Sequence, residues 1–155
     1  MALSALEVRL VERLEKARPS IERDLEAWVN IPTGWNFAPG LTELRGILRH
    51  RLEALGGVAR ELPGAVAPGF VGPRDPIPPT LVVEGPLGAS PSRSRPLLFC
   101  GHLDTVFDPN GPFTTFRREG DRAIGPGVSD MKGGLAIMIA ALEALHAEGV
   151  ARPWT

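Results

Sequence analysis

Two short polar clusters contain the side chains best suited to chemistry. The first is Gly101-His102-Leu103-Asp104-Thr105, which directly follows an apolar run. On an extended segment, His102 and Asp104 project to the same side, because side chains two residues apart share a face. A neutral imidazole is a good zinc ligand, and a carboxylate that accepts its other ring N–H fixes the tautomer. The pair predicts a metal site; a histidine satisfied by local hydrogen bonds is the alternative.

The second cluster is the glycine-rich segment GPGVSDMKGG at residues 125–134. Asp130 lies within it at the predicted start of an apolar helix, where aspartate commonly caps the first turn and complements the helix dipole. Glycines on both sides of Asp130 favour a backbone that approaches another group closely. A carboxylate presented in this way can bridge two metal ions. Capping and metal bridging are therefore both open for Asp130.

The same glycines do not match the known phosphate-binding loops. The segment has an acid where a dinucleotide-binding fingerprint requires a third glycine, and the chain contains no GxxxxGK[ST] sequence. A carboxylate at that position would also repel a phosphate. The sequence therefore argues against a nucleotide-binding loop.

Composition excludes several other classes of protein. The chain has 155 residues, 43% of them hydrophobic, which is enough for one domain with its own core. The 17 basic and 18 acidic residues give a formal net charge of -1, without the basic excess that is typical of nucleic-acid binding. The single cysteine, Cys100, excludes an internal disulfide framework, and we expect its thiol to be buried and inert.

Targeting and membrane signals are absent from the sequence as read. Residues 1–16 contain charges throughout, without the continuous apolar core of a signal peptide. The chain has no stretch of about 18 uncharged apolar residues that could cross a bilayer. We therefore expect a cytoplasmic protein with neither a membrane nor a nucleic-acid partner.

Periodic apolar residues predict three helical regions. Residues 3–29 have helical spacing, with a break predicted at Pro19 because proline lacks an N–H donor. Residues 41–55 form the next predicted helix, which ends at a pair of glycines. Residues 131–149 have almost no polar face and predict a largely buried helix.

Short apolar segments predict the strands, which are residues 58–62, 81–84, 96–100 and 113–118. The uninterrupted apolar run at 96–100 is typical of a strand buried on both faces. Segments rich in proline, glycine or serine predict loops at 63–79 and 86–95. The strand at 96–100 and the helix at 131–149 form half of a β-α-β unit, whose helix would pack on a sheet that continues further.

The two clusters together resemble a known family. LLFCGHLDTVF followed by GPFTTFRREGDRAIGPGVSDMKGGLAIMIAALEAL resembles the co-catalytic zinc metallopeptidases, which include glutamate carboxypeptidase, acetylornithine deacetylase, succinyl-diaminopimelate desuccinylase and aminoacylase. The resemblance is tightest over residues 96–149. It implies an α/β fold: a three-layer catalytic domain with a mixed, mostly parallel sheet. Residues 1–155 would be its N-terminal part, incomplete at the C-terminus and without the inserted dimerisation domain.

The resemblance also implies roles for individual residues. His102 would ligate one metal ion, Asp104 would be the active-site carboxylate behind it, and Asp130 would bridge two metal ions through a segment whose next peptide bond is cis. Two zinc ions are the implied cofactors, with cobalt or manganese as alternatives for such a ligand set. The Glu-Glu pair, the further acidic ligand and the late histidine that the family requires cannot be assigned in this sequence.

The implied reaction is metal-dependent hydrolysis of an amide bond in a peptide or an N-acyl amino acid. The family also implies that a full-length protein could dimerise. Because the general base and several ligands are not assigned, we expect the 155-residue chain alone to be inactive. A non-catalytic fragment or interaction module that kept the scaffold stays open as the alternative.

Overall fold

The computed structural model describes residues 3–34, 37–66, 77–85, 97–150 and 153–155. Its elements are helix α1 (Ala5–Val29), helix α2 (Ala38–Ala54), strand β1 (Val58–Leu62), strand β2 (Thr80–Glu84), strand β3 (Arg117–Glu119), strand β4 (Arg122–Ile124) and helix α3 (Gly133–Ala147). A wide helical turn, Val128–Lys132, precedes α3. Most of the predicted loops at 63–79 and 86–95 lies outside the described residues.

Helix α1 begins at a capping box. The Ser4 hydroxyl accepts a hydrogen bond from the backbone N–H of Glu7, and the Glu7 carboxylate accepts one from the backbone N–H of Ser4. This reciprocal pair satisfies two of the N–H groups that a helix start leaves without partners. The capping box therefore fixes where the helix begins.

The predicted break of this helix at Pro19 is wrong, because α1 continues through the proline. Its C-terminal end is anchored by the buried side chains of Trp28 and Val29. Its N-terminal half pairs with Glu148, just beyond α3, through Arg9 and Arg13. Contacts at both ends of the helix compensate for the hydrogen bond that Pro19 cannot make.

The hydrophobic core lies between α2, α3 and the end of α1. Its most deeply buried apolar side chains are Trp28, Val29, Leu44, Leu48, Leu135 and Ile139. Helix α2 begins a few residues earlier than predicted, with Pro39 in its first turn, where a missing N–H has no cost. The buried faces of α2 and α3 agree with the periodicity of the sequence.

Two antiparallel strand pairs are present among the described residues. Strands β1 and β2 pair in a register that places Val58 opposite Glu84 and Leu62 opposite Thr80. Strands β3 and β4 form a hairpin whose turn contains Gly120, with a positive φ of 58°. The strand predicted at 113–118 is therefore wrong in its bounds, because pairing with β4 sets the strand at Arg117–Glu119.

Parallel pairing occurs in the described residues only as short contacts. The N–H of Leu97 donates to the carbonyl of Pro153 (3.0 Å), and the N–H of Thr155 donates to the carbonyl of Leu97 (2.9 Å). On its other side, Trp154 accepts from the N–H of Gly85, just after β2 (2.8 Å). The chain therefore has a mixed helix and strand fold, but its described ladders are antiparallel rather than mostly parallel.

The strand predicted at 96–100 is not buried on both faces. Leu97 and Phe99 are half-buried, whereas Leu98 is 73% exposed and Cys100 is exposed. One face of this segment packs towards the core, and the described residues do not cover the other. The expectation of a buried thiol at Cys100 is wrong for the same reason.

Within the described residues, no helix is both long and apolar enough to cross a membrane.

Candidate metal-binding site

The backbone before His102 lies directly against the start of α3. The N–H of His102 donates to the Sδ atom of Met131 at 3.3 Å. A Cβ atom at Gly101 would lie 2.8 Å from the side chain of Leu135 and 3.2 Å from that of Met131. A larger residue would require these two flexible side chains to move, so the glycine favours the close contact between the two sequence clusters.

The imidazole of His102 lies between two aspartates. Its Nε2 is 2.9 Å from Oδ1 of Asp130, and its Nδ1 is 3.2 Å from Oδ1 and 3.1 Å from the backbone oxygen of Asp104. Because carboxylate and carbonyl oxygens only accept, both ring nitrogens act as donors in this arrangement. The hydrogen bond to Asp130, and after it those to Asp104, raise the pKa of His102 despite a smaller opposing effect of desolvation.

Both side chains of the His102–Asp130 pair are exposed to solvent. The side chain of His102 is 46% exposed and that of Asp130 is 86% exposed. The pair therefore lies at the surface and not in the core. The site lies at the surface end of the segment that begins at Leu97.

The backbone around Asp130 is not that of a helix cap. Asp130 has φ -132° and ψ 97°, and its peptide bond to Met131 is cis, as the family resemblance implied. Helix α3 begins at Gly133. Its N-cap residue is Lys132, whose side chain makes no capping hydrogen bond. The capping interpretation of Asp130 is therefore wrong, because its carboxylate points to His102 instead.

Lys132 is a residue of this site that the sequence analysis did not single out. Its side chain is fully buried, and its Nζ donates to the backbone oxygen of Ile31 at 2.8 Å. Burial lowers the pKa of the Lys132 amine to about 8. A lysine between Asp130 and the Gly-Gly pair, at the start of an otherwise apolar helix, was the available signal.

The segment after α1 also contacts the first cluster. The backbone N–H of Thr105 donates to the carbonyl of Thr33 at 2.8 Å, and Gly34 pairs with Thr105 in parallel. The same short segment therefore touches the residue after Asp104 and the side chain of Lys132. It lies between the two clusters and fixes their spacing.

The other candidate residues do not join the site. His50 lies exposed on α2, and His146 lies exposed in the last turn of α3. Glu143 and Glu148 bind arginine side chains instead. The structure thus brings together the three residues predicted from the sequence and leaves the remaining histidines apart.

The donors fit a metal ion in kind, although not in number. An imidazole nitrogen and a carboxylate oxygen converge, and a second carboxylate lies behind the imidazole, which is the arrangement that zinc-binding histidines adopt. Zinc sites generally require at least three protein ligands. Over the described ranges, no group of three histidine, cysteine, aspartate or glutamate side chains is placed to hold a metal ion.

Comparison with known proteins shows which family the chain is similar to. Residues 98–155 match the model of Peptidase family M20/M25/M40. Carboxypeptidase G2 of Pseudomonas sp. (strain RS-16) is 32% identical over 136 residues, which cover 86% of this chain and 29% of that protein. The chain therefore spans less than a third of the length of this curated relative.

Two solved structures have the same fold. Human carnosine dipeptidase 1 superposes with a TM-score of 0.78 at 21% identity, over 94% of this chain and 32% of that one. The dipeptidase Dug1p of Saccharomyces cerevisiae superposes with a TM-score of 0.77 at 17% identity, over 97% of this chain and 33% of that one.

The described chain is thus a mixed helix and strand domain with the fold of these two structures. Residues 98–155 are similar to Peptidase family M20/M25/M40, and the described chain shares the fold of the two dipeptidase structures. The resemblance drawn from the two sequence clusters is confirmed.

Proposed function

We propose that this protein is a metal-dependent hydrolase of amide bonds in peptides or N-acyl amino acids, similar to glutamate carboxypeptidase. The observation that carries the proposal is the convergence of His102 Nε2 and Asp130 Oδ1 at 2.9 Å. The similarity to a carboxypeptidase and to two dipeptidases supports peptide-like substrates. The chain spans only part of these relatives, so the activity belongs to the proposal.

We assign His102 and Asp130 as metal ligands and Asp104 as the carboxylate that orients the imidazole. Asp104 accepts the Nδ1–H of His102, which leaves Nε2 as the atom that can donate a lone pair once its own proton has left. Oδ1 of Asp130 lies next to that lone pair and supplies a hard anionic oxygen. In this assignment Asp104 orients the imidazole, whereas Asp130 binds the metal ion.

Two zinc ions are the proposed cofactors, with cobalt or manganese as alternatives. When bound, such ions supply an activated water and polarise the carbonyl of the scissile amide. The assigned residues of this chain would bind the metal and orient its histidine ligand. The general base and the remaining ligands are not assigned among the described residues. We therefore expect little or no hydrolysis by the 155-residue chain alone.

The larger architecture is also part of the proposal. We infer that residues 1–155 are the N-terminal part of a catalytic domain with a mixed, mostly parallel sheet. The parallel contact between Leu97 and Trp154 supports this inference, because a buried helix, α3, connects the two segments. Dimerisation and a cytoplasmic location stay predictions.

A non-catalytic scaffold is the second candidate. It is favoured by one observation, which is that only two donor groups converge among the described residues. This candidate predicts that the two aspartates serve local structure and that removal of metal has no effect on any property of the protein.

The deciding experiment uses the protein as its source cells make it. The protein is captured with an antibody raised against this chain and assayed for release of the C-terminal amino acid from N-acyl amino acids and dipeptides. We expect hydrolysis that a chelator abolishes and that zinc or cobalt restores. A matched capture from cells that carry His102→Ala should be inactive. Capture of intact protein without metal-restored hydrolysis would favour the scaffold.

A further inference from the structure

Lys132 is the largest side chain in the described structure that is completely shielded from solvent. Burying an ammonium group is costly unless it is hydrogen-bonded. The partner here is the backbone oxygen of Ile31, 2.8 Å from Nζ, and no carboxylate pairs with this lysine among the described residues. A methionine could fill the same space without that cost, so the amine itself requires an explanation.

The partner of Lys132 belongs to the segment that reaches the first cluster. Ile31 lies two residues before Thr33, whose carbonyl accepts the N–H of Thr105, and Thr105 follows Asp104 directly. One side of this segment thus binds the turn that contains Asp130, and the other side binds the residues around His102. The hydrogen bond from Lys132 to Ile31 joins the Asp130 turn to this segment.

Asp130 cannot be oriented by packing of its own side chain. That side chain is 86% exposed, and its recorded hydrogen bond is to His102. Its direction therefore depends on that hydrogen bond and on the backbone of the turn. Met131 contacts the His102 backbone through its sulfur, and Lys132 fixes the end of the turn.

Gly127 packs closely against the aliphatic stem of Lys132. A Cβ atom at Gly127 would lie 3.1 Å from Cγ and Cδ of Lys132 and 3.0 Å from the methyl group of Thr105. Gly127 has a positive φ of 79°, a conformation that glycine adopts without strain. The glycine that opens the turn thus allows the lysine stem and Thr105 to lie close to its backbone.

We propose that Lys132 is a positioning residue, whose hydrogen bond to Ile31 holds the Asp130 turn in register with His102. The proposal rests on the proposed function, in which these two residues bind metal. Lys132 itself lies in the core and does not touch the ion or the substrate. Its effect on a metal passes through the direction of the Asp130 carboxylate.

The first test needs no metal and uses amide hydrogen exchange of the full chain. Lys132→Met keeps the length of the stem and removes the donor. We expect the amides of His102 and Thr105, which bond to Met131 and Thr33, to exchange about tenfold faster or more. Amides in the middle of α3 should exchange only as much faster as the change in global stability of the variant requires.

A matched control separates positioning from general loss of stability. Leu44→Ala truncates a fully buried side chain of α2 that belongs to neither sequence cluster. It should accelerate the globally protected amides without a selective effect at His102 and Thr105. If Leu44→Ala and Lys132→Met give the same exchange pattern, Lys132 has only a structural role and the proposal is overturned.

A rescue experiment tests the amine directly. Lys132→Cys in a Cys100→Ser background is alkylated under denaturing conditions to an aminoethyl cysteine, which restores an amine at nearly the original length, and is then refolded. We expect the slow exchange of the Thr105 amide to return. A refolded, alkylated protein with the fast exchange of the methionine variant would contradict the proposal.

The second test connects the lysine to metal binding. Cobalt(II) is added to the chain while the ring signals of His102, His50 and His146 are followed by NMR. We expect Lys132→Met to require about tenfold more cobalt for broadening of the His102 signals, with the other two rings unchanged. Equal cobalt response with and without the amine would overturn the proposal. If His102 of the unmodified chain does not respond selectively, the proposed function fails, whereas hydrogen exchange still decides the role of Lys132.

Discussion

Nε2 of His102 lies 2.9 Å from Oδ1 of Asp130, although 28 positions separate the two residues along the chain. The opposite ring nitrogen faces Asp104, so the imidazole is flanked by a carboxylate on each side. This arrangement favours the doubly protonated ring, which explains the raised pKa of His102. Below that pKa a metal ion must compete with a proton for Nε2.

Asp104 should control metal affinity without binding metal itself. Asp104→Asn keeps the size of the side chain but removes the charge that accepts the Nδ1–H of His102. We expect zinc or cobalt affinity to fall by about 10- to 100-fold, as is typical when such an orienting partner is lost. Calorimetric titration of the native, full-length protein measures the change.

Asp108 offers the control for that experiment. It is an exposed aspartate of the following loop, where it accepts a hydrogen bond from the backbone N–H of Asn110. Asp108→Asn removes the same charge at the surface and should leave metal affinity within about twofold. Equal losses in the two variants would mean that net charge, rather than the orientation of His102, determines binding.

The buried amine should make stability rise with pH in the alkaline range. The folded pKa of Lys132 is about 8, against 10.5 for a free lysine, because burial disfavours the charged form. Between these two values the unfolded chain binds more protons than the folded chain, so the free energy of unfolding increases with pH. Below about pH 8 both states are protonated and this contribution is constant.

Urea denaturation of the metal-free chain at a series of pH values from 7 to 11 measures this effect. Lys132→Met serves as the reference, since it keeps every other titrating group. The difference in unfolding free energy between the two proteins should change between pH 8 and 10.5 and be flat below. A pH-independent difference would show that the lysine titrates normally in the folded chain.

Arg51 should contribute more to stability than Arg49, an arginine of the same helix. Its guanidinium donates to both oxygens of Glu143 on α3 at 2.6 and 2.8 Å, and to Asp24 on α1 at 2.7 Å. The hydrogen bonds to Glu143, followed by the one to Asp24, raise the pKa of Arg51 above its ordinary value. We expect Arg51→Met to lower the free energy of unfolding by about 1–3 kcal/mol, because three helices lose one shared partner.

Arg49 provides the comparison on the same helix. It pairs with Glu53 one turn later, and both side chains are about 40% exposed or more. Arg49→Met should cost about 0.5 kcal/mol or less, the usual contribution of such a pair. If chemical denaturation gave equal losses for the two variants, Arg51 would not connect the three helices energetically.

The meeting of the two clusters could be predicted from the sequence. The His-x-Asp spacing after an apolar run and the glycines around Asp130 both indicated groups in close contact, and the family resemblance added their order. Gly101 is an example, since a side chain at this position would require Leu135 and Met131 to move away from the first cluster. The residue patterns alone left a local structural role open for His102 and for Asp130, and the family resemblance assigned both to one metal site.

The remaining features depend on contacts between distant parts of the chain. Lys132 reads as a surface residue in sequence, and only its contact with Ile31, 101 positions away, makes it a buried donor. Pro19 predicts a break that the anchoring of both ends of α1 overrides. Leu98 predicts burial because it is apolar, yet burial requires a neighbour that the described residues do not supply.

The most direct test of the metal-binding pair uses the three histidines as probes within one sample. Cobalt(II) is titrated into the chain and into its Asp130→Asn variant, while the ring signals of His102, His50 and His146 are followed by NMR. We predict that His102 broadens at the lowest cobalt concentration and that Asp130→Asn raises this concentration about tenfold or more. Three histidines that respond alike, or a variant that responds like the unmodified chain, would contradict the assignment of His102 and Asp130 as metal ligands.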